Sequence, residues 1–148
     1  MYRYLTVKLG SPDDAEDVLQ EVFYRLVKYS FRLRLVRDLR AFAFRIARNE
    51  ANRFLQGKIH GGQAAQPAPC FAESLRRSYS GPDGLSEQAA AAALARIPDE
   101  QREVIILRIF EGLSFREIAA INGNSINTVA SRYRYGIEKV RALMEGGK

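Results

Sequence analysis

Between Ile59 and Leu85 the chain loses every periodicity. The stretches HGGQAAQPAPC and SYSGPDG are rich in Gly, Pro, Ala and Ser and sustain neither a helical nor a strand repeat. Such composition predicts a flexible linker, with no more than a short helical turn near Phe71–Arg77. A chain of 148 residues interrupted there has to fold as two small units, residues 1–58 and 86–148, on either side of a linker at 59–85. Both flanking stretches carry helical spacing and neither carries a strand pattern. The expected fold class is therefore all-α: a helical bundle followed by a helix-turn-helix unit.

In the first unit, Ser11-Pro12-Asp13-Asp14 reads as a helix start. Ser11 can cap, Pro12 suits the first turn, and the acids favour the positive end of the helix dipole. Apolar residues then recur at Ala15, Val18, Leu19, Val22 and Leu26. A basic connection, Tyr29 to Arg37, leads to Asp38, a plausible cap for a helix ending near Gln56 at Gly57. In the second unit an alanine-rich helix runs to Arg96, Ile97-Pro98 breaks it, and Asp99–Phe110 forms the next, closed by Gly112. Ser114-Phe115-Arg116-Glu117 has capping-box spacing and starts the short helix Phe115–Ile121. Asn122-Gly123-Asn124 is a turn signal, and Ser125 caps a last helix, Ile126 to about Met144. Two helices joined by a tight Gly-containing turn suggest helix-turn-helix.

Charge narrows the partners. The formal net charge is +6, which favours a polyanion. Yet Ser11–Tyr24 carries five acids and no Lys or Arg, whereas Lys28–Lys58 carries nine bases against two acids. An acidic face beside a basic one points to two different partners. The apolar runs are too short to cross a bilayer, and a single cysteine, Cys70, fits a reducing compartment, so a cytoplasmic protein without membrane association is expected. His60 and Cys70 both fall in the expected linker, with no metal-ligand or nucleophile arrangement around them. No cofactor, no metal and no enzymatic activity are expected.

Helical geometry at about 100° per residue sorts the remaining faces. Asp13, Asp17, Gln20 and Tyr24 share one narrow wedge, bordered by Asp14 and Glu21, opposite the apolar stripe. That face is either merely solvated or docks on a basic protein surface. On the Asp38–Gln56 helix, Leu39, Ala43, Phe44, Ile46, Ala47, Ala51, Phe54 and Leu55 form the inner face, and Arg45, Asn49, Asn52, Arg53 and Gln56 lie opposite. Phe42 points with the second group. It is either a platform on which a nucleobase stacks, worth about 1–3 kcal/mol per base, or a residue packed under the Tyr29–Arg37 connection. Tyr29 and Phe31, interleaved with Lys28, Arg32 and Arg34, extend that aromatic and basic character. On the last helix Ile126, Val129, Tyr133, Ile137, Val140 and Met144 should pack inward. Asn127, Thr128, Ser131, Arg134, Tyr135 and Lys139 face out, a hydrogen-bonding and basic surface suited to the major groove.

Taken in this order, the motifs resemble bacterial sigma factors of the sigma-70 family, extracytoplasmic-function (ECF) group. SPDDAEDVLQEVFYRLVK is similar to the region 2 helix that docks on RNA polymerase, and RDLRAFAFRIARNEANRFLQ to the helices that recognise and open the −10 promoter element. The segment from Ala95 to Met144 resembles region 4, whose helix-turn-helix reads the −35 element. The resemblance implies polymerase contacts at Asp14, Asp17, Gln20 and Glu21, to which the wedge adds Asp13 and Tyr24. It implies −10 contacts in the Phe31–Asp38 loop (Phe31, Arg32, Arg34, Arg37) and at Arg45, Asn49 and Arg53, to which the facial reading adds Phe42 and Asn52. It implies −35 contacts at Thr128, Ser131, Arg132 and Tyr135; the cap and outer face add Ser125, Asn127, Arg134 and Lys139. Phe42 stands where the family often has Trp. Ala130 stands where a basic residue is common and Tyr135 where Arg is common, so the resemblance does not carry over a −35 sequence preference. Region 2 is expected to be abbreviated at its N-terminal end. Core RNA polymerase and promoter DNA are the implied partners, with an anti-sigma factor as a third that the resemblance allows. The alternative is a stand-alone helix-turn-helix regulator acting on duplex DNA through Ile126–Met144.

Overall fold

The computed structural model describes residues 1–61, 73, 75 and 84–146. Helix α1 spans Tyr2–Leu9, α2 Pro12–Lys28, α3 Ser30–Leu33 and α4 Leu39–His60. Helix α5 spans Gly84–Arg96, α6 Asp99–Ile105, α7 Phe115–Asn122 and α8 Ile126–Gly146. Among the described residues there is no strand.

No helix was expected before Ser11, yet α1 is the most deeply buried element of the bundle. Tyr4, Leu5, Val7 and Leu9 are each 2% exposed or less. Burial of such side chains contributes about 1.5–3 kcal/mol each, which offsets the weak helix propensity of Thr6 and Val7. Helix α1 packs on α2 and α4, and the Tyr4 ring meets Phe44 edge-on at 5.8 Å. Helix α2 starts as expected, with Ser11 Oγ accepting from the Asp14 N–H at 3.3 Å. Ala15, Val18 and Val22 are buried, with Leu19 and Leu26 packed partly against them. The expected irregular connection contains the short helix α3.

Asp38 caps α4, its Oδ1 accepting from the Ala41 N–H at 3.0 Å. The helix does not stop at Gly57. It runs one turn further, because Lys58 pairs with Asp14 on α2 at 2.5 Å and lies over the Phe54 ring at 5.0 Å. Those contacts offset the roughly 1 kcal/mol that a mid-helix glycine costs. Ala41, Phe44, Ala47 and Ala51 are the buried positions of α4, whereas Leu39, expected inside, is 54% exposed because it precedes the first buried turn. Of the expected linker, Ile59 and His60 thus belong to α4, and Glu73 and Leu75 are helical. Leu75 joins the core. The rest of that segment, with Cys70 and most of the turn expected at Phe71–Arg77, lies outside the described residues.

In the second half, α6 does not end at Ile105 but widens into one π-turn, Ile106–Phe110, closed by the Glu111 N–H donating to the Ile106 carbonyl at 3.2 Å. The widened turn keeps Ile106 and Leu107 buried while Arg108 and Ile109 face outward. Ser114 caps α7, its Oγ accepting from the Glu117 N–H at 3.1 Å; Glu117 Oε2 is buried without a hydrogen-bond partner. Gly123, at φ +70°, closes α7 in the left-handed conformation that other residues adopt only at a cost. Ser125 then caps α8, its Oγ accepting from the Thr128 N–H at 3.1 Å. Helix α8 packs on α5, α6 and α7 through fully buried Val129 and Tyr133, whose ring lies 5.3 Å from Phe115. Gly136 lets α8 approach α6: a Cβ there would come within 2.8 Å of Ile105 Cδ1. Ile126, expected in the core, is 47% exposed, since it opens the helix one turn before the packed stretch.

The two halves are not separate in space. Helix α4 packs along α7, and buried residues of both halves form one continuous core. At their junction Glu103 of α6 accepts from the Tyr4 hydroxyl at 2.6 Å, from Lys8 Nζ at 3.0 Å and from Arg48 Nε at 3.1 Å. Arg40 of α4 donates to the Glu111 carbonyl.

Candidate nucleic-acid interface

An open groove of about 610 Å³ runs along the outer face of α4. Its floor and one wall come from Phe42, Arg45, Ile46, Asn49, Glu50 and Arg53, and its other wall from Arg25, Tyr29, Arg32, Leu35 and Val36. Phe42 is half-buried, and Arg45 and Asn49 are exposed. Phe42 lines the open cleft together with Leu35 and Val36 of the connection. Arg32 sits over the Tyr29 ring at 5.9 Å, so an aromatic face and a cation occupy the opposite rim.

Electrostatically the groove is positive but ordered by one acid. Glu50 is 8% exposed and pairs with Arg25 at 2.9 Å and Arg53 at 3.6 Å. The hydrogen bond from Arg25 to Glu21, joined by the charge of Glu50, holds that guanidinium above its ordinary pKa against the cost of desolvation. Sequence reading named Phe42, Arg45, Asn49, Arg53, Tyr29 and Arg32, and the Phe31–Asp38 loop that holds Leu35 and Val36; it missed Arg25 and Glu50. The Glu21–Arg25 spacing of four was visible; the link to Glu50 is a tertiary contact without a local signal. Phe31 (88% exposed), Arg34 and Arg37 project from the connection without lining the groove, and Asn52 sits half-buried on its flank.

On α2, Asp13, Asp17, Gln20 and Tyr24 are all exposed. Asp14 and Glu21 at the border are engaged inside the unit, with Lys58 and Arg25 respectively. Beside the acidic wedge stand two exposed apolar side chains that sequence reading did not assign, Phe23 (57% exposed) and Val27 (73%). They lie four residues apart, so they form one row.

On α8, Asn127, Arg134, Tyr135 and Lys139 are exposed, and Thr128 and Ser131 are half-buried at the same surface. Ser125 and Thr128 hydroxyls are 2.9 Å apart. The Arg134 guanidinium stacks over Tyr135 at 5.1 Å, which fixes both side chains at the surface. Arg132 is placed differently: it turns toward α6 and pairs with Glu100 at 2.9 Å. Among the described residues no group of three His, Cys, Asp or Glu is placed to hold a metal ion. No described helix is long and apolar enough to cross a membrane.

An aromatic, cationic cleft lies on one helical unit and a helix-turn-helix on the next, and the comparisons with known proteins match each unit to a region of one family. Sigma-70 region 2 matches residues 1–58 and Sigma-70 region 4 matches residues 87–140. The ECF RNA polymerase sigma factor ShbA of Streptomyces griseus is 32% identical over 97% of this chain and 81% of its own length. The sigma factor EcfG of Rhodopseudomonas palustris is 28% identical over 91% of this chain and 74% of its own. The fold matches the sigma factor RpoE solved with the anti-sigma factor NepR from Bartonella quintana, with a TM-score of 0.73, 25% identity, and coverage of 97% of this chain and 89% of that one. The chain belongs to the sigma-70 family of RNA polymerase sigma factors, in its ECF group.

Proposed function

We propose that this chain binds core RNA polymerase through the α2 face, reads −35 duplex DNA with α8, and traps an unstacked −10 base in the α4 groove. Unstacking a base costs a few kcal/mol, and a fitted pocket can offset it. The groove supplies the parts such a pocket needs. Phe42 and Tyr29 offer stacking faces, Arg32, Arg45 and Arg53 offer charge to the sugar–phosphate backbone, and Asn49 offers a paired donor and acceptor to a base edge. The observation that carries this reading is the convergence of Phe42, Arg45 and Asn49 on one open cleft, within the same chain as a capped helix-turn-helix.

Residues 1–58 then act as the polymerase and −10 unit, residues 86–148 as the −35 unit, and the chain itself makes and breaks no bond. It works in the cytoplasm, where polymerase and chromosome are. An anti-sigma factor is a further partner, supported by the likeness to a sigma factor solved with one. In vitro transcription with core polymerase on a promoter library tests the whole reading: specific initiation dependent on this protein is expected. Tight operator binding without polymerase, indifferent to the acidic face of α2, would instead make it a stand-alone regulator.

A further inference from the structure

We infer that Glu50 is a specificity-determining residue of the α4 groove. Its carboxylate accepts a hydrogen bond from the exocyclic amine of the trapped base, so that cytosine is taken in preference to the keto pyrimidines thymine and uracil. The inference deepens the functional reading above and rests on it for the presence of an unstacked base.

An acid is out of place in a site for a polyanion, and this one is held there firmly. Glu50 lines the groove with Phe42, Asn49 and Arg53, although only 8% of it is exposed. Arg25 Nε, from α2, pairs with its Oε1 at 2.9 Å, and Arg53 Nη1 pairs with the same oxygen at 3.6 Å. An ionised carboxylate accepts on both of its oxygens, and here both cations gather on one of them. Oε2 takes part in neither pair, so it keeps its capacity to accept. The two guanidinium groups offset the cost of holding a carboxylate at such low exposure. The groove thus combines cations on exposed positions, Arg32 and Arg45, with an acceptor set into its wall.

The chemistry of that acceptor decides what it takes. A phosphate is anionic and rich in acceptors, so Oε2 repels it and the sugar–phosphate chain is directed to the exposed arginines instead. What remains to face Glu50 is a base. Phe42 and Tyr29 supply stacking surface, which every base can use, so stacking sets affinity rather than identity. Identity comes from the edge. Cytosine presents an N4 amine, which donates to a carboxylate. Thymine and uracil present an O4 carbonyl at the same place, and two acceptors then face one another with no proton between them. Asn49, the residue before Glu50, cannot make this choice, because its amide both donates and accepts and can turn to suit either ring. Adenine carries a comparable amine at N6; the pyrimidines give the cleaner comparison because ring size is held constant.

Fluorescence anisotropy of the full chain with short, labelled, single-stranded homopolymers of dC, dU and dT reads this choice without knowledge of the promoter; dU removes the thymine methyl group from the comparison. The parent is expected to bind oligo-dC about tenfold more tightly than oligo-dU, the worth of one hydrogen bond to a charged group. Phe42→Ala should weaken both, which places the binding in the groove. Glu50→Gln keeps the length and shape of the side chain but gives it a donor, and the dC-to-dU ratio should fall to near unity. A role confined to bracing Arg25 and Arg53 predicts a different outcome: affinity falls for both oligonucleotides by the same factor and the ratio survives. That result, or a parent that binds dC and dU equally, overturns the inference. If Glu50→Gln does not fold, the parent is measured with homopolymers of pyrimidin-2-one, which has neither amine nor carbonyl at the fourth ring position. Binding weaker than to dC supports the inference, and binding as tight as to dC overturns it. A parent that binds no single-stranded DNA, or binds it indifferently to Phe42→Ala, sinks the base-trapping reading and this inference with it. An unaltered ratio in Glu50→Gln, with Phe42→Ala still damaging, sinks the choice of base alone.

Discussion

The α4 groove and the α8 face use similar residues to opposite geometric ends. Both carry Arg, Asn and an aromatic ring. In the groove they line a concavity, with Phe42 half-buried and Tyr29 across from it. On α8 they stand on a convex surface, with Tyr135 half-exposed and Arg134 stacked on it. A concave site suits a base that has left its helix, because it must replace stacking on both sides. A convex, hydrogen-bonding helix suits an intact major groove, because the base edges are already displayed. Composition alone would not have separated the two; curvature does.

Four experiments would break or sharpen that contrast. The largest effect is expected outside both sites. Asp17→Arg on the exposed α2 wedge should weaken core-polymerase binding roughly 100-fold by like-charge opposition, with the circular dichroism spectrum unchanged. Fluorescence anisotropy with labelled core enzyme checks this, and near-parental binding would remove α2 as the docking helix. Next, Asn49→Ala should lower open-complex formation by about 10- to 100-fold, corresponding to roughly 1–3 kcal/mol, while binding to fully paired promoter DNA changes little. Equal losses in both assays would show that the groove does not discriminate opened strands. Arg134→Ala should do the reverse. It should weaken binding to −35 duplex about tenfold and leave activity on a template lacking the −35 element untouched. The smallest effect concerns acidity. Burial disfavours the Glu103 charge, but Lys8, the Tyr4 hydroxyl and Arg48 outweigh it and hold the carboxyl below the ordinary carboxylate range. Its contribution is therefore fully present above that range and is lost as pH falls through the lowered value. Neutral pH should show no change in compaction between pH 6 and about 8, and loosening should begin only in acid. Scattering-derived radii across the titration report it.

Much of this architecture was legible in the sequence because the signals were local. The caps at Ser11, Asp38, Ser114 and Ser125 each formed within a four-residue window. Facial spacing placed Asp17, Asn49 and Lys139 outside and Val22, Phe44 and Val129 inside. What was illegible depended on contacts across the chain. Helix α1 is held by burial between α2 and α4 rather than by its own propensity. The turn beyond Gly57 is held by Asp14, 44 residues away. Arg132, placed among the −35 contacts by its position in the motif, pairs with Glu100 on another helix, a contact with no local signal. The joining of the two halves through Glu103 spans 95 residues from Lys8 and has no counterpart in any short window. At the groove, Phe42, Arg45, Asn49 and Arg53 of α4 and Tyr29 and Arg32 of the connection were visible in advance; Glu50 and the α2 residue Arg25 were not.

Gly136 has a meaning beyond packing. The helix presenting Arg134 and Tyr135 rests against α6 where a Cβ on residue 136 would come within 2.8 Å of Ile105 Cδ1 and 3.2 Å of Gln101 Cβ. On the reading proposed for α8, the pitch at which it would meet DNA is set like the seat of a key, by material cut away on the hidden side.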